Sequence, residues 1–253
     1  MKQLVGILFL LLVQISPAQE NEARFNKATD SYNAGDYEEA ISSYLSIIEG
    51  GEHSAAVYFN LGNCYYKLNQ IAPSIYYYEK ALLLKPQDKE IKNNLAYAQN
   101  MTLDAIDPLP VTSLNKIYNS VTRLLFFDQW AYLAVFFVLV FVISYILFYY
   151  FSYSNYKRIS FSISIGALIF SLVCILIAFL QYQDFNSNNP AIIYANEIGV
   201  KSEPNNRSPQ VFQLHEGTKV NVLDKLKDWS KIELLDGKIG WVPSSEIKLL
   251  KDF

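Results

Sequence analysis

Two apolar stretches constrain this chain of 253 residues more than anything else in it. From Gln129 to Gln183 the only charged side chains are Lys157 and Arg158, side by side near the middle. Residues 131–151 and 161–181, on either side, are apolar runs of about twenty residues each. Twenty helical residues at ~1.5 Å rise cover the ~30 Å hydrocarbon core of a bilayer. Buried core helices are the alternative, but such helices rarely run this long without a charge. The expectation is a two-helix transmembrane hairpin, with spans at 129–151 and 161–183 and a loop at 152–160. Short cytoplasmic loops are enriched in Lys and Arg. Lys157 and Arg158 therefore place the loop in the cytoplasm and both flanking segments in the outer compartment. Tyr149, Tyr150, Tyr153 and Tyr156 at the inner edge, and Trp130, Tyr132 and Tyr182 at the outer edge, suit aromatic belts.

The amino terminus agrees with that topology. Residues 1–18 contain Lys2, an apolar core from Leu4 to Ile15, and then Ser16-Pro17-Ala18. Small residues at 16 and 18 suit cleavage of a signal peptide before Gln19, with an uncleaved anchor as the alternative. Either export signal puts the following segment outside. The net charge of −3 argues against nucleic acid as a partner. Residues 19–105 carry seven basic and twelve acidic side chains, and residues 184–253 carry nine and ten. Cys64 and Cys174 offer no disulfide framework and read as small buried apolar residues. With His53 and His215 the only histidines, neither a metal centre nor a His-based catalytic group is expected, and no cofactor.

From residue 19 to 103 the chain repeats itself. Asn26, Asn60 and Asn94 are spaced by 34 residues, as are Ala28, Gly62 and Ala96, and Tyr44 with Tyr78. That period, with a small residue in one helix and an aromatic in the next, resembles tetratricopeptide repeats. The stretch Tyr58-Phe59-Asn60-Leu61-Gly62-Asn63-Cys64-Tyr65-Tyr66, followed by Tyr78, Ala81 and Pro86, carries the resemblance, as does Gly35-Asp36-Tyr37-Glu38-Glu39-Ala40 at a turn. Lys27 and Ser31 depart from the pattern, standing where Leu and Tyr are usual. Ala28 and Gly62 are expected to let paired helices approach closely. Pro73 is tolerated in a first helical turn, and Pro86 ends a helix. Residues 89–101 read as a lone closing helix packed through Leu95 and Ala96.

The resemblance implies a concave groove for a peptide or a partner helix, lined by Phe25, Thr29, Tyr32, Phe59, Asn63, Tyr66, Lys67 and Tyr97. The alternative is that these aromatics simply pack the helices. Asn60 and Asn94 are suited to bonding a peptide backbone, and equally to bonding the neighbouring helix.

Residues 104–128 join the array to the first span. Pro108 and Pro110 make 104–110 an extended linker. A helix capped by Thr112 or Ser113 follows, with Leu114, Ile117, Tyr118, Val121, Leu124 and Leu125 in one apolar stripe. It suits the membrane interface, or else docking on the array or a partner.

Residues 184–253 read as short strands at 192–194, 199–202, 210–214, 219–226, 229–234 and 239–243, with Asp236-Gly237 as a tight turn. Their number and spacing suit a small closed barrel. Val200-Lys201-Ser202-Glu203-Pro204, Glu216-Gly217-Thr218-Lys219-Val220, Asp228-Trp229 and Gly237-Lys238-Ile239-Gly240-Trp241-Val242 resemble the bacterial SH3-like (SH3b) family, with Lys201 where Arg is common. The resemblance implies a module that binds peptidoglycan or protein. Trp229 and Trp241 are its candidate ligand platform, the alternative being barrel core. The array and the barrel are each expected to own a core and to fold separately.

The fold class is thus a multidomain membrane protein: an all-α tetratricopeptide solenoid, a two-helix transmembrane hairpin and a small all-β SH3-like barrel. That order is similar to BatE-type proteins of the Bacteroides aerotolerance (Bat) operon, notably in Asp107-Pro108-Leu109-Pro110, Asp128-Gln129-Trp130-Ala131-Tyr132-Leu133 and His215-Glu216-Gly217-Thr218. The resemblance implies von Willebrand factor A-type Bat membrane proteins and, through them, a MoxR-type ATPase as partners. It points to a non-enzymatic inner-membrane scaffold in aerotolerance or stress tolerance, with both soluble modules periplasmic. A peptidoglycan-binding anchor is the alternative, and an enzyme using Cys64 with His53 the remote one.

Overall fold

The structure, a computed structural model, describes residues 15–110, 112–122 and 124–252. The expected signal peptide falls largely outside the described residues. The described chain divides into two compact units: one joins the chain up to Leu109 with the residues from Asn189 onward, and the other spans 110–188.

The first unit begins with five helices, α1 (Ile15–Ala34), α2 (Tyr37–Glu49), α3 (Ala55–Lys67), α4 (Ile71–Leu84) and α5 (Lys89–Gln99). Their ends follow from local chemistry. The Ser54 hydroxyl accepts from the Val57 amide at 3.2 Å to start α3, and the Asp88 carboxylate accepts from the Glu90 and Ile91 amides to start α5. Pro86 lies just beyond the end of α4, as expected. Gly62 lets α3 and α4 meet: a Cβ there would lie 2.5 Å from the Tyr78 ring. On α5 the packed residues are Ile91, Leu95 and Ala98, whereas Ala96 is exposed; the buried face follows an i, i+4, i+7 rhythm that passes Ala96 by.

The 34-residue period also sets the polar contacts between repeats. Asn60 Nδ2 donates to the Tyr44 hydroxyl at 3.0 Å, which also bonds Thr29 Oγ1 at 2.9 Å. Thirty-four residues further on, the Tyr78 hydroxyl donates to Asn63 Oδ1 at 2.7 Å, which also accepts from Asn94 Nδ2 at 2.9 Å. Tyr44 and Tyr78, at equivalent positions of the second helices, thus each have the hydroxyl tied to polar residues of first helices.

The carboxyl-terminal part forms seven strands: β1 (Pro190–Ile193), β2 (Glu197–Lys201), β3 (Gln210–His215), β4 (Lys219–Leu226), β5 (Trp229–Glu233), β6 (Ile239–Pro243) and β7 (Ile247–Leu249). The first six overlap the expected strands, with β1 and β2 each starting two residues earlier than expected; β7, only three residues long, is additional. The sheet order is β3-β2-β6-β5-β4-β1-β7. It wraps a core of Ala191, Ile193, Ile198, Val200, Leu214, Val220, Ile232, Leu234, Val242 and Ile247. It is open, not the closed barrel expected from the strand count. The short β7 pairs only with β1, and the chain then leaves the sheet. The segment read as a free extended linker is instead part of this fold. Ile106 packs against the sheet's core, and the Leu109 amide donates to the Leu235 carbonyl at 3.0 Å.

The helices and the sheet share a second core. Ile192 and Leu250, both fully buried, belong to one cluster with Tyr58, Ala72, Ile75, Tyr76, Tyr78 and Ile91, and Tyr194 packs against it. Array and sheet each hold a core of their own, around Tyr44 and Leu61 in one and around Val200 and Ile232 in the other; the shared cluster, not expected from sequence, joins them. Gly217 marks how close they come: its φ is +83°, and a Cβ there would lie 2.9 Å from Ile75 Cδ1 and 3.1 Å from Ile71 Cγ2.

The second unit holds α6 (Ser113–Thr122), α7 (Phe127–Tyr150) and α8 (Ser154–Ser187). The last two are long and apolar enough to cross a membrane. Their connection is shorter than 152–160, because α8 begins at Ser154 and carries Lys157 and Arg158 in its first turns. The buried residues of α8 are Ser160, Ser164, Ala167, Ser171 and Cys174, a stripe of small side chains with 4-3-4-3 spacing. Small residues let spanning helices approach closely, and the Ser171 hydroxyl donates to the Ala134 carbonyl of α7 at 3.2 Å. Helix α6 docks near the other end. Val121 and Leu125 pack on Trp130, Ala134 and Cys174, while Gln181 Nε2 donates to the Thr122 and Leu125 carbonyls. Leu114 and Ile117, in the expected apolar stripe, lie outside the described side chains.

Because Leu250 fills a core made of both helices and strands, Leu250→Ala should cost about 2–5 kcal/mol, the usual range for emptying such a site. Far-ultraviolet circular dichroism of the helices and near-ultraviolet signals of the sheet aromatics should then show a common, lowered melting midpoint.

Candidate interaction surfaces

The candidate groove residues sit on the first helices of the repeats. Phe25, Thr29 and Tyr32 come from α1, Phe59, Asn60, Asn63, Tyr66 and Lys67 from α3, and Asn94 and Tyr97 from α5. The structure puts them to different uses. Thr29, Asn60, Asn63 and Asn94 are the polar partners of Tyr44 and Tyr78 described above, so each already bonds a neighbouring helix. Phe25 stands edge-on to Tyr44 at 5.5 Å, and Phe59 lies 5.9 Å from Tyr78. Lys67 and Tyr97 are exposed, Tyr97 to 62 %, while Tyr32 and Tyr66 are half-buried.

Trp229 and Trp241 belong to the outer face of the sheet. In β5 the buried residues are Ser230 and Ile232, and in β6 they are Gly240 and Val242; both tryptophans alternate with these and stay outside the core cluster.

The residues suggested for an enzyme lie in different settings. Cys64 is fully buried, and burial pushes its thiol up to about 12, so it stays protonated at neutral pH. His53 is exposed, and its Nδ1 bonds the Tyr58 hydroxyl at 2.5 Å. Among the described residues no group of His, Cys, Asp and Glu is arranged to hold a metal ion.

The most developed polar site was not expected from sequence: it is the seam between helices and sheet. Asp104, in the supposed linker, accepts from the His215 amide at 2.7 Å and the Thr218 hydroxyl at 2.6 Å, and its other oxygen pairs with His215 Nδ1 at 2.7 Å. On α4, Glu79 receives Lys219 of β4 at 2.6 Å. Its neighbour Lys80 pairs with Asp252, which also accepts from the Tyr76 hydroxyl at 2.7 Å. Glu79 and Lys80 are 6 % and 4 % exposed, so both charges are withdrawn from water and each is answered from the other side of the seam. The Lys80 ammonium also lies over the Tyr58 ring at 4.9 Å. A buried, paired Glu-Lys couple beside an apolar tyrosine could have been suspected from α4 alone, but nothing in its spacing names the partners.

Burial raises the Asp104 carboxyl, but hydrogen bonds from the Thr218 hydroxyl and from the His215 ring and amide outweigh it and hold Asp104 below its usual value. A carboxyl whose pKa is lower folded than unfolded adds stability above the unfolded value, about 3.9, and loses it as pH falls through the lowered folded value. Asp104→Asn should therefore destabilise the protein at pH 7, and the difference from the parent in urea midpoint should shrink towards pH 3.

Comparison with known families gives two matches. Residues 197–248 match the bacterial SH3 domain, and residues 55–88 match the tetratricopeptide repeat. Comparison with curated proteins gives no match. The chain thus carries a tetratricopeptide repeat in its helical part and a bacterial SH3 domain in its sheet, with two apolar helices in the segment between them.

Proposed function

We propose that this chain is a non-enzymatic adaptor of a bacterial inner membrane. On this reading α7 and α8 cross the bilayer, Lys157 and Arg158 face the cytoplasm, and the helical array and SH3 domain stand in the periplasm. The order of parts resembles BatE-type proteins, so the partners proposed are von Willebrand factor A-type Bat membrane proteins and, indirectly, a MoxR-type ATPase, in an envelope complex for aerotolerance or stress tolerance. The observation that carries the reading is the buried seam: two folds of recognition type are held in one body by Ile192, Leu250, Lys80–Asp252 and Glu79–Lys219. Such a body can hold two partners at a fixed spacing. The sheet packs on α4, whereas the candidate groove residues come from α1, α3 and α5, so docking one module leaves the other's candidate surface on separate helices.

A second reading, an anchor that binds peptidoglycan through the SH3 domain, is favoured by Trp229 and Trp241 lying on the outer face of the sheet. Retention of the full chain by purified sacculi separates it from the first.

A reporter fused after Phe253 should respond only from the periplasmic side; a cytoplasmic response would overturn the proposed placement. Tyr66→Ala combined with Tyr97→Ala should weaken co-purification with the von Willebrand factor A-type proteins about tenfold or more, as loss of aromatic anchors does, with the melting midpoint nearly unchanged. Unchanged co-purification would remove the groove from the account.

A further inference from the structure

The outer face of the sheet carries an arrangement that neither family match explains. Lys201 of β2 pairs with Trp241 of β6, and Trp241 pairs with Lys231 of β5, so one indole lies between two lysines across three strands. In the next row Trp229 stands between Leu226 and Pro243. Lys201, Trp229, Lys231, Trp241 and Pro243 alternate with buried core positions and so share one face. Among the described residues neither Lys201 nor Lys231 has an ion pair or a side-chain hydrogen bond, and neither indole N–H has an acceptor. Asp224 lies beyond Lys231 and Glu233 opposite Ile239, which gives this donor-rich strip an acidic border on one side. The helical array packs on β1, at the far end of the sheet order.

We infer that this strip binds an extended acidic peptide segment of a protein partner, with an apolar side chain on Trp241 and a carboxylate on each flanking lysine. Neighbouring strands lie ~4.8 Å apart, so Lys201 and Lys231, two strands apart, are separated by roughly 10 Å. A peptide in the polyproline II conformation has three residues per turn and rises ~3.1 Å per residue, so acidic residues three positions apart lie on one side of it and span roughly 9 Å. The indole between them is a flat apolar seat, and aromatic residues with a polar handle serve as anchors at interfaces. Asp224 and Glu233 would repel a longer acidic run that overshoots the lysines, which fixes the register. The inference deepens the adaptor reading, since it names the chemistry of the segment that the SH3 domain takes.

The test uses the full chain in detergent micelles with Trp130→Phe, so that emission comes from Trp229 and Trp241. The probe is a capped hexapeptide with glutamates at its second and fifth positions and a leucine between them; its control carries glutamines instead. The acidic peptide should change the emission saturably and bind about tenfold or more tighter than the control, with affinity falling as salt rises. Lys201→Glu with Lys231→Glu, and separately Trp241→Leu, should abolish the effect without moving the melting midpoint. If the double reversal perturbs folding, Lys201→Gln with Lys231→Gln is read instead and should give the same loss. Equal binding of the two peptides, or no saturable change, would overturn the inference. So would a response only to muropeptides or to phosphatidylglycerol vesicles, which would assign the strip to glycan or lipid. If peptide binding fails while co-purification with the partner proteins persists, the adaptor reading stands and this inference alone falls.

Discussion

Tyr76 is the residue on which the first unit turns. Its ring packs in the cluster that holds Ile192 and Leu250 and meets Tyr194 edge-on at 5.8 Å, while its hydroxyl donates to Asp252. Around it lie Lys80–Asp252 and Lys219–Glu79, in which an acid and a base from α4 are matched by a base and an acid from the sheet module. The two kinds of contact do different work. Burying an ion pair costs several kcal/mol of desolvation per charge, and the attraction gained roughly balances it. The charges therefore set how the modules fit, since a shift of one turn would bring like charges together or leave them unpaired. The affinity of one module for the other comes from the apolar surface of Tyr76, Ile75, Ile192 and Leu250, at ~25 cal/mol per Å² removed from water.

This seam gives meaning to features that look incidental in isolation. Gly217 and Thr218, in a turn after β3, are close to α4 and to Asp104 respectively, and Gly217 has a positive φ that lets the turn lie flat against Ile71 and Ile75. Asp104 and Ile106 tie the end of the array to the sheet from the other direction. The helical array, its following segment and the sheet are thus fastened at three places: the Tyr76 cluster, the Asp104 site and the Leu109–Leu235 bond. A body fastened in this way would hold two partners at a fixed distance, which the proposed adaptor role requires and a pair of beads on a flexible string would not provide.

What could be read from sequence was whatever repeats or alternates. The 34-residue spacing placed the helices, and it even carried the Tyr44–Asn60 contact, repeated by Tyr78, Asn63 and Asn94, in its periodicity. Alternation in β4, β5 and β6, with the Asp236-Gly237 turn, placed those strands correctly. Contacts without a period stayed hidden. Tyr76 and Asp252 are 176 positions apart, and no local pattern joins them. Asp104 and Ile106 sit among prolines and so read as a free linker, although their side chains are held by the sheet. Lys157 and Arg158 read as a loop because they are charged, yet α8 continues through them: at ~1.5 Å per residue its 34 residues reach ~51 Å, well beyond a hydrocarbon core. The closed barrel failed for a related reason, since strand count says nothing of whether the last strand returns to the first. The two tryptophans read as ligand platform or as core until the strands put Trp229 opposite Pro243 and Trp241 opposite Lys231, alternating with the buried Ser230 and Val242.

Native-state hydrogen exchange on the full chain tests the single-body account most directly. The slowest amides of α4 and of β1 should open with the same free energy and the same denaturant dependence, because neither core survives the loss of the other. If the β1 amides exchange through an opening that leaves those of α4 protected, array and sheet are independent domains in contact, and the fixed geometry proposed for the adaptor is lost.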